Sequence, residues 1–583
     1  MNTASTSSAV PPLAAASGIG DPLRRSAAVL CMSACVSPHV GLPGSWRVAV
    51  HRRTPAPATL AAPDPAGPAI VALVHTVLHA IATHPPAREA LRCGDTGTSF
   101  GALARTSLRW ASLLSSLHGV VPGDRVALLA EPGAAFVAAL LAVWRTRSAA
   151  LVLTPLHPPS ERERLLDDAD VRVLIATPAL ADEARRCAGE RIVVVPEGDP
   201  WDAPGGGVVA SSPADAGAEV ALPRLDDIAL LVYTSGTTSR PKGVVLRHRH
   251  VAAQCSAIAR AWRLGPDDTL VHALPLHHVH GLIIALLCTL TAGGRVVALP
   301  RFDPAAVVAA AAEGTVFMGV PTMYARLVEH LERLPADAVA RASAALAALR
   351  LCTSGSAALP VTIGERWRLL AGRYPVERFG MTELGVALSN RVDGHTVPGS
   401  VGWPLPGVRI RVVDDHGAAA DEGELQVCGA TVFEGYWRQP RATDEAFTVD
   451  DGARWFRTGD TVRLRDDGCV QVLGRTSVDI LKSAGYKISA PAIEEAIRRH
   501  PDVVDAAVVG VADETYGQVV AAAVVARAGT PLTSDGLLAF LADELAPYQR
   551  PRIVRLVAEL PRNAMGKVVK PTLARMLAAD WPA

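Results

Sequence analysis

At 583 residues the chain is too long for a single hydrophobic core, so two or more domains are expected. Its 49% hydrophobic and 20% charged residues make a globular composition, and 57 basic residues balance 57 acidic ones, which gives no charge signature of a nucleic-acid or membrane-surface binder. The nine cysteines form no CxxC pair, so neither a zinc site nor a disulfide framework is indicated, and a reducing compartment is the default. The longest apolar run, 281–290, is too short to span a bilayer.

Residues 1–65 are rich in Ala, Ser and Pro and carry Arg24, Arg25, Arg47, Arg52 and Arg53, with Asp21 as the only acid before Asp64. This composition reads as an organellar transit peptide, mitochondrial before plastid, against a disordered extension of a cytoplasmic protein. From about residue 69 the text becomes patterned. Helical spacing over 71–81 is followed by a strand over 123–130, a helix over 136–144 and strands over 149–153, 170–175 and 191–195. A surface connection is expected over 197–226. Helices are then predicted over 251–262 and 340–348, and short buried strands over 269–275, 295–300, 316–320 and 349–353. Strands alternating with helices point to parallel α/β layers. Between 398 and 474 short strands with Gly and Asp turns suggest a smaller β-rich subdomain. Beyond a boundary near 475–479, helices over 490–499, 534–545 and 570–577 and strands over 503–511 and 519–526 make a compact α+β module.

Five stretches carry candidate chemistry. An apolar strand runs into Thr234-Ser235-Gly236-Thr237-Thr238-Ser239-Arg240-Pro241-Lys242-Gly243, a loop able to wrap N–H groups and hydroxyls around phosphate oxygens, with Lys242 countering their charge. It is not a Walker A loop, and a plain Ser/Thr/Gly linker is its bland alternative. Leu274 to Gly281 gathers His277, His278 and His280 at a strand end. A metal is disfavoured because no Cys or carboxylate lies in the same turn, and core histidines bonded to backbone are the alternative. In Arg378-Phe379-Gly380-Met381-Thr382-Glu383, adjacent hydroxyl and carboxylate can meet a phosphate and a magnesium ion together, or simply cap a helix. Thr458-Gly459-Asp460 and Gly474-Arg475 taken singly are turn residues. Lys567, in Pro561 to Lys567, would by itself be a solvated surface charge.

In this order and spacing the five stretches resemble the adenylate-forming superfamily of acyl-CoA synthetases, peptide-synthetase adenylation domains and luciferases, from about residue 70 to the end. Ser239 stands where that family has Gly, and Phe379 where it has Tyr. The resemblance implies an α/β fold. A large N-terminal domain of layered α/β sheets with a β-rich subdomain, 66–475, is hinged between Thr476 and Asp479 to a small α+β C-terminal domain, 476–583. It implies ATP, Mg²⁺ and coenzyme A as the small molecules used, with no nucleic acid, no membrane span and a monomer or weak homodimer. By the same resemblance Thr234 to Thr238, Lys242, Phe379, Gly380 and Thr382 hold the nucleotide, and Glu383 the magnesium. Asp460 and Arg475 take the ribose, and Lys567 is the mobile catalytic lysine. His278, with His280 beside it, lines the acyl pocket. The loop of Ser483, Gly485 and Tyr486 comes to the site for thioester formation. Ala484 breaks that loop's usual Gly-Gly pair, which is expected to alter its path.

The implied activity is ligation of an acid to CoA through an acyl-adenylate, with AMP and pyrophosphate released. The text around Leu274 to Gly281, Thr353 to Pro360 and Gly474 to Lys482 resembles the branch acting on malonate, with methylmalonate as near competitor. A short- or medium-chain monocarboxylate enzyme, or a non-catalytic nucleotide-binding relative, is the alternative. A second carboxylate needs a cation, since leaving it unpaired costs on the order of 2–5 kcal/mol. Arg326 and Ser356 are the expected clamp, with Arg350 in reserve.

Overall fold

Apolar runs too short to make buried helices become strands of two large sheets, and the helices between them cover the faces. The protein is seen as a computed structural model that describes residues 60–61, 76–195, 222–234, 241–394, 396–562 and 567–581. All of these belong to one compact unit, Ala56–Ala583. In the first sheet Ile192–Val194, Val173–Ala176, Arg125–Leu129, Ala149–Val152 and Ile228–Thr234 run parallel, and Lys242–Arg247 closes the edge antiparallel. The nine-stranded second sheet has a parallel centre of Arg295–Ala298, Thr269–His272, Val316–Gly319, Leu351–Ser354 and Val376–Met381. Gly385–Ser389 then folds back antiparallel on Val376–Met381. Helix Ala134–Arg145 is apolar all round because it lies in the core, and Trp144 Nε1 donates to Ala229 O at 2.8 Å.

The apolar run at 281–290 is a buried helical segment. It begins with wide π-type turns over His280–Leu287 and continues in Cys288–Thr291. No helix among the described residues is long and apolar enough to cross a membrane. The β-rich subdomain is an antiparallel sheet of Val408–Val413, Glu422–Gly429, Ala453–Leu464 and Phe447–Asp450, with Val470–Arg475 also paired to Ala453–Leu464. Its edge takes Leu60–Ala61, inside the stretch expected to be an N-terminal extension. The C-terminal module has the hairpin Ile480–Ser483/Tyr486–Ser489 and a three-stranded sheet of Val503–Asp513, Gly517–Ala526 and Ile553–Leu556. Around these pack Ala490–Arg498, Ser534–Glu544 and Lys570–Ala578.

The strand expected over 170–175 starts late, at Val173, because Asp170 takes a left-handed turn (φ 53°) and its carboxylate pairs with Arg125 at 2.6 Å. The helix expected over 251–262 starts early, at His248. Residues 71–75 and most of the connection over 197–226 lie outside the described residues.

Arg350 is not available as a substrate clamp. Its Nε donates to Asp268 Oδ1 at 2.6 Å, Nη2 meets Oδ2 of the same carboxylate, and further donors reach the carbonyls of Trp262 and Arg263. Asp268 is buried, which pushes its carboxyl pKa up. Hydrogen bonds from Arg350, the Gly265 N–H and Thr315 outweigh that and hold it below the usual value. The pair ties the start of two sheet strands together. Arg350→Met is therefore expected to lower stability by about 3 kcal/mol in urea denaturation, since it strands a buried carboxylate, while leaving acid preference unchanged. An altered preference at wild-type stability would contradict this assignment.

Candidate active site

The nucleotide side is assembled from residues of three antiparallel strand pairs. Strands Ile228–Thr234 and Lys242–Arg247 pair with Thr234 opposite Lys242, so the expected phosphate loop is the hairpin connection. Ser235, Gly236, Thr237 and Thr238 lie outside the described residues. Lys242 sends its ammonium over the Tyr436 ring, 4.9 Å from the centroid, and Tyr436 Oη donates to Glu383 Oε1 at 3.1 Å.

Thr382 and Glu383 occupy the turn between Val376–Met381 and Gly385–Ser389 rather than a helix start. The two strands approach so closely that a Cβ on Gly380 would lie 2.0 Å from Gly385 O, so only glycine fits. Gln254 Oε1 accepts the Val386 N–H at 2.8 Å and fixes the turn from behind. Glu383 is buried, which raises its carboxyl pKa. The Tyr436 hydrogen bond and the charges of Arg475 and Lys242 act the other way. Phe379 is half-buried beside it.

In the third hairpin Asp460 stands opposite Arg475, with Oδ2 3.3 Å from Nη1. Burial pushes the Asp460 carboxyl up to about 6, against the pull of Arg475 and Lys567 and with added repulsion from Asp479 and Glu383. Lys567 joins this group. Much of its surface is open to solvent, yet desolvation lowers its ammonium pKa, as do Arg475 and Arg378, while Asp460 raises it.

On the acyl side a buried histidine shapes the segment between strand and helix. His272 Nδ1 accepts the Leu274 N–H at 3.1 Å, and its Nε2 lies 3.0 Å from Gly281 O. A Cβ on Gly281 would meet Pro275 O at 2.2 Å, so this tight return depends on glycine. His277 and His278 lie with ring centroids 4.0 Å apart, and His157 comes within 5.9 Å of His277. Burial, then Lys567 and His157, push His278 down to about 4, so it is neutral near pH 7. No group of three potential ligands that could hold a metal ion occurs among the described residues, where every cysteine is a free thiol. His280 is buried with Nδ1 3.1 Å from Ser356 Oγ, and Ser356 sits in the left-handed region at φ 70°.

Arg378 is the group that sequence reasoning did not single out. It is 5% exposed, and its Nε and Nη2 make no hydrogen bond among the described residues. Burial lowers its pKa to about 10. Glu377, the preceding residue, cannot neutralise it, because successive side chains of a strand point to opposite faces. Glu377 instead accepts the Gly399 N–H at 3.0 Å. The parallel pairing of Ser354 with Glu377 brings Gly355 beside Arg378, where a Cβ would lie 2.3 Å from Arg378 Nε. Thr353 Oγ1, His278 Nε2 and His280 Nε2 are likewise buried without a hydrogen bond, whereas Ser354 pairs with Glu377 and shares its face, away from Arg378. Arg378, His278 and His280 are thus neighbours in a buried polar cluster.

Arg326 is not brought to it. The side chain is exposed on helix Pro321–Glu332 and lies over the Phe302 ring at 5.0 Å. The Ser483 to Tyr486 loop stays with the C-terminal module: Ala484 N donates to Tyr516 O, and Tyr486 stacks on Tyr548 at 4.3 Å. Ala484 and Gly485 both adopt positive φ (49° and 83°), so alanine takes a left-handed position in this two-residue turn.

Residues 78–437 match the AMP-binding enzyme family, and residues 492–567 match the AMP-binding enzyme C-terminal domain. The mitochondrial malonate–CoA ligase of Bos taurus is 38% identical over 514 residues, covering 81% of this chain and 85% of that protein. ATP-bound MatB from Rhodopseudomonas palustris is 33% identical with a TM-score of 0.76, covering 87% of this chain and all (100%) of that one. A malonyl-CoA ligase with methylmalonyl-CoA and AMP bound is 37% identical with a TM-score of 0.58, covering 83% and 99%.

The Asp460 environment has a measurable consequence. Folding raises its pKa from 3.8 to about 6, so its contribution to stability is present at low pH and is lost as pH rises through about 6. At pH 8 the buried carboxylate is held ionised at a cost. Asp460→Asn is expected to melt above wild type at pH 8, with the gap closing below pH 4. Equal melting at pH 8 would contradict this.

Proposed function

Since this chain belongs to the AMP-binding enzyme family, we propose that it ligates malonate to coenzyme A, giving malonyl-CoA, AMP and pyrophosphate. In the first step a malonate carboxylate oxygen attacks the α-phosphorus of ATP and pyrophosphate leaves. In the second the CoA thiol attacks the acyl carbon of malonyl-adenylate and AMP leaves.

The observation that best supports the substrate is the buried guanidinium of Arg378, whose Nε and Nη2 make no hydrogen bond among the described residues, close to His280. A monocarboxylate would leave that charge in an apolar contact, whereas the distal carboxylate of malonate accepts from its two donors at once. Neutral His278 and His280 add polar contacts without competing charge. One methyl group changes binding by only about 1–3 kcal/mol, so methylmalonate is a second substrate.

Thr234, Lys242 and Thr382, with the loop of Ser235 to Thr238, hold the phosphates. Phe379 and Gly380 flank the base, and Asp460 and Arg475 take the ribose. Glu383 suits a magnesium ion, because a carboxylate whose ionised form is disfavoured by burial gains from a hard cation next to it. Bound with ATP, the ion spreads phosphate charge. Lys567 neutralises the approaching carboxylate and α-phosphate, and its lowered pKa fits an ammonium drawn out of water beside Arg475. This orientation is the one for adenylation. In support, ATP-bound MatB superposes better than the more identical chain with methylmalonyl-CoA bound. The module then rotates about residues 476–479 to bring Ser483, Gly485 and Tyr486 to the acyl-adenylate. The Arg-bearing leader and the mitochondrial relative support a mitochondrial protein.

Arg378→Met is expected to lower kcat/KM for malonate by about 10²-fold or more while sparing acetate and butyrate, because the lost partner leaves a desolvated carboxylate unpaired. Parallel loss for all three acids would contradict the clamp. Lys567→Ala should abolish adenylation yet leave transfer from supplied malonyl-AMP to CoA largely intact. Equal loss of both half-reactions would refute its role.

A further inference from the structure

Three residues beyond Lys567, the side chain of Lys570 turns inward. Its Nζ lies 2.6 Å from Asp479 Oδ1 and 2.9 Å from Glu494 Oε1, and only 14% of the side chain is exposed. The two carboxylates raise the ammonium pKa against the desolvation that burial imposes. A lone lysine at the start of a surface helix would ordinarily extend into water, and a buried ion pair adds little net stability. What such a pair does fix is geometry, because either partner left alone is costly.

The partners of Lys570 connect it to the nucleotide side. Asp479 uses its other oxygen, Oδ2, to accept the Arg475 N–H at 3.0 Å, and its own N–H donates to Arg475 O at 2.7 Å. Arg475 is the residue whose guanidinium meets Asp460. Glu494 Oε1 also accepts the Val508 N–H at 2.9 Å, which anchors it to the module's main sheet. Its neighbour Glu495 accepts the Thr362 N–H at 3.1 Å, at the start of helix Val361–Ala371 in the large domain. On the other side, the chain leading from Lys567 to Lys570 is held by Val569 N–H donating to Pro561 O at 2.8 Å. Lys570 is the first residue of its helix, so holding its ammonium holds the root of the segment that carries Lys567.

We propose that Lys570 is a positioning residue for adenylation: its double ion pair with Asp479 and Glu494 sets where the Lys567 ammonium arrives relative to Arg475 and Asp460. Lys570 itself touches no reacting atom. The assignment rests on the role given to Lys567 and is independent of which acid is used. It also links two parts of the chain that must move together. Asp479 stands at the end of the expected hinge and holds Arg475 on one oxygen and Lys570 on the other, so the hinge and the lysine segment share one carboxylate.

The test separates the half-reactions, using whichever acid gives AMP release with the wild-type protein. Acid-dependent exchange of pyrophosphate into ATP reports adenylation, and a synthetic acyl-adenylate with CoA reports the second step. Lys570→Met is expected to reduce exchange by about 10²-fold, the loss typical of a misplacement near 1 Å, while thioester formation stays close to wild type. Lys570→Arg keeps the charge and should recover most of the exchange. Because Lys570→Met leaves two buried carboxylates facing each other, Lys570→Met/Glu494→Gln is measured as well. It relieves that repulsion and should melt close to wild type, yet show the same exchange defect. Equal loss of both half-reactions in the double variant, or full exchange in Lys570→Met, would overturn the proposal. Lys567→Ala run alongside separates the two readings. Exchange surviving there overturns both, whereas exchange lost there but kept in Lys570→Met overturns this one alone.

Discussion

Arg378 is a buried guanidinium with no carboxylate partner among the described residues, and the proposed reading of the acyl side depends on it. Burying an unpaired cation is among the costliest arrangements a protein can maintain. Here it persists because strand geometry sends Glu377 to the opposite face and Gly355 supplies no Cβ to block the guanidinium. The Ser356 turn is shaped by His280, and Thr353 Oγ1 and the Nε2 atoms of His278 and His280 are buried without hydrogen bonds. The cost is recovered only when a ligand brings the missing negative charge. On the proposed reading the site selects by rejection as much as by attraction, since a ligand without a second carboxylate would leave the cation unpaired.

The nucleotide half follows the complementary logic. Glu383 and Asp460 are buried acids whose pKa values are raised, set among Lys242, Arg475 and Lys567. Tyr436, from the β-rich subdomain, lies between Lys242 and Glu383 and keeps them from collapsing into a direct ion pair. Glu383 meets Tyr436 rather than a cation directly, while Asp460 is paired with Arg475.

Much of the nucleotide half was legible in the sequence because its pieces are local. Each is a hairpin turn or strand end whose residues lie within about fifteen positions of one another in the chain: Thr234 with Lys242, Thr382 with Glu383, Asp460 with Arg475. The layered α/β architecture followed from the same short-range patterns. The acyl clamp was not legible, because it depends on which strands lie side by side. Arg326 and Arg350 flank the right stretch of sequence, but helix phase puts the first on the surface, and the Asp268 carboxylate claims the second. Arg378 was in plain view as the residue before Phe379. Its role emerges only from the parallel pairing of Leu351–Ser354 with Val376–Met381, which sets it against Gly355. Tyr436 and Gln254 were missed for the same reason. Each acts across more than fifty residues of chain on a turn that had been read in isolation.

The most direct measurement is the ratio of kcat/KM for malonate to that for acetate in the wild-type protein, followed by AMP release with ATP, Mg²⁺ and CoA. The two acids share the reacting carboxylate and differ only in the group that would meet Arg378. A buried unpaired guanidinium predicts a preference for malonate of at least about 10²-fold, from the 2–5 kcal/mol that a desolvated charge pair commands. A ratio near unity, or a preference for acetate, would mean that Arg378 does not face the substrate, and the account of the acyl pocket would fall with it.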